Sequence, residues 1–153
     1  MPFENTPLPY AFDALEPYID ARTMEIHHDR HLQAYIDGLN RAIAPFPALQ
    51  NCAAARLAVL NAPALRCIRP ALCRNAGGVF NHRFYFAGMT PDGSRRLPCG
   101  ALQAAVLQTF GTQAAFEDAF TKAALGVFGS GYVWLVRDVA GRPRIITTAN
   151  QDT

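Results

Sequence analysis

Four histidines and one tyrosine set the chemical possibilities of this chain. In Glu25-Ile26-His27-His28-Asp29-Arg30-His31-Leu32-Gln33-Ala34-Tyr35, His27, His31 and Tyr35 fall at i, i+4 and i+8, so on a helix they share roughly one face. Two imidazoles a turn apart can share a metal ion, or one can bind while its neighbour orients it or a bound solvent molecule. The zincin pattern His-Glu-x-x-His is not met, because no glutamate follows the first histidine. The ordinary alternative is histidines that face solvent or are satisfied in a core. The fourth, His82, stands in Val79-Phe80-Asn81-His82-Arg83-Phe84-Tyr85-Phe86. It is either a buried ring with a hydrogen-bond partner or a ligand in an apolar shell that tunes redox potential and the acidity of bound water. On pattern alone both readings stand.

Positioning these side chains takes helices from separate parts of the chain. Asp20 suits the cap of a helix expected from about Ala21 to Ala44, ending before Pro45 and Pro47, with Gly38 a point of kinking. Residues 48–75 read as one or two shorter helices interrupted at Pro63 and Pro70, and Gly77-Gly78 introduces a helical segment from Val79 to Ala87. Upstream, Pro2, Pro7, Pro9 and Pro17 make residues 1–19 an extended arm with a short turn or two. Thr90-Pro91-Asp92-Gly93 has the chemistry of a turn and divides the chain into lobes 1–89 and 90–153. Beyond it, Pro98 suits a helix's first turn, with Cys99 to Phe110 continuing. Thr112 caps another helix, which sets Phe116 and Phe120 on one face. Tyr132 to Val136 and Arg144 to Thr148 read as strands around a turn at Asp138 to Pro143. The expected class is α+β: an N-terminal helical hairpin lobe, then a helical lobe with an antiparallel sheet, incomplete at the C-terminus. Two strands alone are marginal and need a third strand or a helix cover.

Composition narrows the partners. The 153 residues are 50% apolar and 17% charged, too hydrophobic for a disordered chain and too interrupted for a membrane span. Met1-Pro2-Phe3-Glu4 offers neither a basic nor an apolar signal region, so a cytoplasmic location is expected. A net charge of +2 does not mark a nucleic-acid binder. No membrane or nucleic-acid partner is expected. The charge is uneven, however. No Asp or Glu lies between Asp37 and Asp92, where Arg41, Arg56, Arg66, Arg69, Arg74 and Arg83 all fall. That stretch is either a basic patch for an anionic partner or a set of scattered, solvated arginines. Cys52, Cys67, Cys73 and Cys99 lack Cys-x-x-Cys spacing and a nearby His pair, which leaves buried or idle thiols rather than a zinc site or a disulfide framework.

From about Leu8 onward the chain resembles the iron/manganese superoxide dismutases. The resemblance rests on Leu8-Pro9-Tyr10, Phe12 to Asp20, Met24 to His31, Asn75 to His82, Phe116 to Trp134 and Thr148-Ala149-Asn150-Gln151-Asp152, in the family's order. It implies that His27 and His82 are two of four protein ligands to the metal. It implies a second-shell role beside the substrate funnel for His31, and a gateway role in proton supply for Tyr35. Gln151 matches the glutamine that, in manganese-type members, hydrogen-bonds the metal-bound solvent. Iron-type members commonly carry that glutamine at the position of Gly78, so the pattern favours manganese, or a metal-tolerant enzyme, with iron the alternative. The implied reaction dismutates superoxide to dioxygen and hydrogen peroxide.

The resemblance is C-terminally truncated. The family's other two ligands lie on an Asp-x-Trp-x-His-Ala motif that these residues do not contain, as does the glutamate of its dimer bridge. A two-histidine half-site would favour adventitious Cu, Ni or Zn over Mn, so impaired activity is expected, and a homodimer only with that segment present. The alternative is a non-enzymatic remnant serving as a protein-interaction module. Phe86 and Tyr132 stand where tryptophans are usual, and Val79 where a histidine often is. Residues 51–73, rich in Ala, Arg, Cys and Pro, match poorly between well-matched flanks, as a shifted reading frame between two compensating lesions would. Coding DNA lacking a family-like alternative frame would dispose of that explanation.

Overall fold

A computed structural model describes residues 3–92 and 98–153; Pro2 of the expected arm and Gly93 of the expected turn lie outside the described residues. The architecture is α+β, in two compact units: Met1–Gly93 with Gln151–Thr153, and Ser94–Asn150.

In the first unit Asp20 caps as expected, accepting from the Thr23 amide at 2.9 Å and the Thr23 hydroxyl at 2.6 Å. Helix α1 (Ala21–Glu25), a π-helical segment (Ile26–Leu32) and α2 (Gln33–Ile43) follow without a gap. The irregularity therefore falls at the histidines and not at Gly38. After α3 (Ala54–Ala58) comes the 20-residue α4 (Arg69–Gly88). Two expectations are corrected here. Pro70 does not interrupt a helix but sits in the first turn of α4, where its missing N–H leaves no bond unmade. Gly77-Gly78 does not begin a helix but lies inside α4.

The glycines are there for close approach. A Cβ at Gly78 would overlap the Tyr35 ring, one at Gly77 would overlap the Gln151 carbonyl, and one at Gly38 would overlap the Asn75 amide. Helices α2 and α4 thus interlock reciprocally, Gly78 receiving Tyr35 and Gly38 receiving Asn75. This offsets the roughly 1 kcal/mol that each glycine costs within a helix. Ile36, Leu39 and Ile43 form one buried stripe of α2 against Leu72, Val79 and Phe86 of α4, all at most 3% exposed. The N-terminal arm is tied over these helices. Asn40 exchanges two 2.8 Å bonds with the Phe3 backbone, Tyr10 Oη donates to the Phe86 carbonyl at 2.8 Å, and Arg83 donates to the Glu4 carbonyl.

In the second unit α5 is Gly100–Phe110; Cys99 is extended and serves as its N-cap, so Pro98 lies outside the helix rather than in its first turn. Thr112 Oγ1 accepts from the Ala115 amide at 3.1 Å and opens α6 (Gln113–Leu125), where Phe116 and Phe120 lie with ring centroids 5.9 Å apart. Strands β1 (Gly131–Arg137) and β2 (Pro143–Ala149) pair antiparallel, with Val133 opposite Thr147 and Leu135 opposite Ile145. Asp138 closes the turn by accepting from the amides of Ala140 and Arg142 and pairing with Arg142 and Arg144. Helix α6 packs on both strands and α5 on β2, giving the hairpin a helix cover. Among the described residues, no helix is long and apolar enough to cross a membrane.

Candidate metal centre

Two elements bring the imidazoles together. An α-helix overshoots a full turn by about 40° every four residues, whereas the wider π turn, with i→i+5 bonding, undershoots. The π segment between His27 and Tyr35 offsets that drift, so His27, His31 and Tyr35 all face α4. Their ring centroids lie 5.0 Å (His27), 5.1 Å (His31) and 5.2 Å (Tyr35) from that of His82. His27 and His31 are 5.6 Å apart, and His31 and Tyr35 5.1 Å. Phe86 meets His27 edge-on at 5.0 Å, and Tyr85 lies 5.8 Å from it. His31 is exposed, His27 and Tyr35 are half-buried and His82 is buried. The cluster therefore opens to solvent on the His31 side.

The chemistry of the two inner rings is set by their surroundings. His82 Nδ1 lies 2.8 Å from the Gly78 carbonyl. A carbonyl only accepts, so Nδ1 carries the proton and Nε2 is the basic nitrogen. Burial pushes the His82 pKa down to about 4; the Gly78 bond opposes this, while the neighbouring His27 and His31 add to it. His27 is likewise held below its ordinary value, by burial first and His31 second. Both rings are thus neutral at pH 7, the form that binds metal, and His82 has its tautomer fixed by an outer partner as ligating histidines do. His28 faces elsewhere, with Nδ1 2.6 Å from Asp29 and Nε2 2.9 Å from the Thr6 carbonyl of the arm.

Gln151, in the same compact unit as the histidines, accepts on Oε1 from Asn81 Nδ2 at 3.4 Å. Asn81 is wholly buried and its Oδ1 has no hydrogen-bond partner. Sequence reasoning assigned Asn81 no role. Its place one turn after Gly77, on the face that Gln151 covers, was the available signal. Among the described residues, no group of three or more His, Cys, Asp or Glu side chains is arranged to hold a metal ion. The neutral pair His27 and His82 fits a metal as part of a ligand set. All four cysteines are free.

Comparison with known proteins covers nearly all of the chain. Residues 2–90 match the iron/manganese superoxide dismutases, alpha-hairpin domain, and residues 98–153 match the C-terminal domain of the same family. A manganese superoxide dismutase of Thermus aquaticus is 44% identical over 152 residues, covering 99% of this chain and 74% of the relative. One from Leptolyngbya boryana is 47% identical over 152 residues, covering 99% and 63%. One from Bordetella pertussis is 46% identical over 154 residues, covering 100% and 72%. The chain thus spans roughly two thirds to three quarters of the length of these relatives.

Proposed function

The chain belongs to the iron/manganese superoxide dismutase family, and we propose that the protein converts superoxide to dioxygen and hydrogen peroxide at a metal held in part by His27 and His82. The observation carrying this reading is the convergence of two neutral imidazoles from separate helices, centroids 5.0 Å apart, one with its tautomer fixed by the Gly78 carbonyl. A bound manganese or iron ion supplies one-electron exchange with superoxide, a role suited to imidazole and oxygen ligands. His31, exposed at the mouth, and Tyr35 beside it line the approach of the anion, and Tyr35, its ring 5.2 Å from that of His82, offers a hydroxyl for proton transfer. Phe86 and Tyr85 limit water on the far side of His27. Asn81 orients the Gln151 amide.

Manganese is favoured over iron by the packing around Gly78. No side chain fits at that position against the Tyr35 ring, so the amide that iron-type members place there has no room, and Gln151 supplies one from another segment. The relatives named above are manganese enzymes by name. The proposal extends to a homodimer and to a cytoplasmic location, the latter supported by four free cysteines. The 153 residues offer two of the four implied ligands, so a polypeptide of these residues alone should hold manganese substoichiometrically and dismutate superoxide feebly. A superoxide assay with metal analysis on that polypeptide tests this. Full activity with one manganese per chain would show the ligand assignment to be wrong. The second reading, a non-enzymatic interaction module, is favoured by one feature: among the described residues β1 and β2 pair only with each other, leaving ladder edges open. A stoichiometric partner in a pull-down, with no metal dependence, would favour it.

A further inference from the structure

The acid-free stretch builds a second feature, away from the imidazoles. A groove of about 590 Å³ runs between the C-terminal half of α2 and the first turns of α4. Arg41 lines it from α2 and Arg74 from α4, with Ala42 and Ala71 between them and the exposed Cys67 beside α4's start. No carboxylate lines the groove, and none occurs in the sequence between Asp37 and Asp92. Among the described residues neither guanidinium has an ion-pair or hydrogen-bond partner. Asn75, the other polar side chain in the groove, is turned to its own helix, donating to the Ala71 carbonyl at 2.9 Å.

Two cations carried on the two helices that wall one groove repel each other, and an anion between them converts that repulsion into two attractions. The guanidinium fork matches the oxygen spacing of phosphate and gives charge-assisted, paired hydrogen bonds. The first turn of α4, which no side chain caps, adds partial positive charge at the same end. We propose that this groove binds a phosphate group, free or as a small monoester, through Arg41 and Arg74. Of the six arginines in the stretch, these two line one groove.

The protein carries its own reporter. Cys67 lines the groove, while Cys99 is equally a free, exposed thiol at the N-cap of α5. Alkylation of both by iodoacetamide, an uncharged reagent, is followed by mass spectrometry in inorganic phosphate, in glycerol 3-phosphate and in sodium chloride at matched ionic strength. Phosphate should slow Cys67 saturably and leave Cys99 unchanged; the tighter of the two phosphates identifies the free ion or the monoester as the ligand. Arg41→Gln and Arg74→Gln, at exposed positions, should each raise the half-saturating concentration about tenfold, as loss of one charge-assisted contact implies. Arg144→Gln should not change it. Equal Cys67 rates in phosphate and chloride, or protection unchanged in the double variant, would overturn the proposal.

Discussion

The two compact units are held together in different ways. In the first, fourteen buried apolar residues from Leu15 to Phe86 form one cluster. In the second, among the described residues, Val106 and Pro143 alone are buried, while Leu125 is 83% and Phe128 fully exposed. The helices of the first unit owe their placement to side chains distant in sequence, as in the fit of Tyr35 on Gly78. Those of the second owe theirs to local devices: the Thr112 cap, the Asp138 turn and the β1–β2 ladder. Side chains proposed to hold a metal must be placed to a fraction of an ångström, which dense packing provides, and the imidazole cluster lies wholly in the first unit.

The largest effect expected from that contrast is on stability. Leu39 is fully buried, so Leu39→Ala should cost about 2–5 kcal/mol through lost burial and the cavity left behind. Leu125→Ala removes the same atoms from solvent and should stay within about 0.5 kcal/mol. Urea unfolding followed by circular dichroism compares them. Similar costs would mean that the second unit is packed after all.

Acid should separate the units next. His82 titrates near pH 4 when folded, against an ordinary 6.5, so between those values the unfolded chain binds more protons and stability rises with pH. The contribution of His82 is complete above pH 6.5 and lost as pH falls toward 4, about 3 kcal/mol, and His27 acts in the same direction. Asp138 is held near pH 2, chiefly by the Arg142 backbone N–H and further by the Arg144 guanidinium, against an ordinary 3.8. Its contribution is complete above 3.8 and fades only as pH falls through about 2. Between pH 6.5 and 4, then, metal-free protein should lose amide protection in α2 and α4 but not in the hairpin. His82→Gln should flatten the loss, and hairpin opening first would contradict the assignment.

What was legible in the sequence follows the same division. Asp20 and Thr112 as caps, the two strands and the shared direction of His27, His31 and Tyr35 are encoded by neighbours a few residues apart, and the spacing revealed them. The helical setting of Gly77-Gly78, the notch at Gly38 and the burial of Asn81 depend on partners tens of residues away. There, local chemistry pointed the wrong way: Gly77-Gly78 read as a helix start, because the ring or carbonyl that needs the missing Cβ is invisible at that range. His82 was undecided between buried ring and ligand on its aromatic surroundings alone. Its Gly78 bond and the nearby His27 supply what those surroundings could not.

The smallest effect tests whether local devices act alone in the second unit. Thr112 is exposed, and its hydroxyl makes one recorded bond, to the Ala115 amide. Thr112→Ala should cost about 1 kcal/mol. Where a buried core backs a helix end, losing its cap is partly absorbed by packing; α6 has no buried residue. The loss should therefore appear as faster amide exchange in the first turn of α6, with α2 and α4 unchanged, and Thr112→Asn should restore it. If exchange slowed by the cap in α6 also changed in α4, the second unit would be stabilised cooperatively with the first rather than by its own caps and turns.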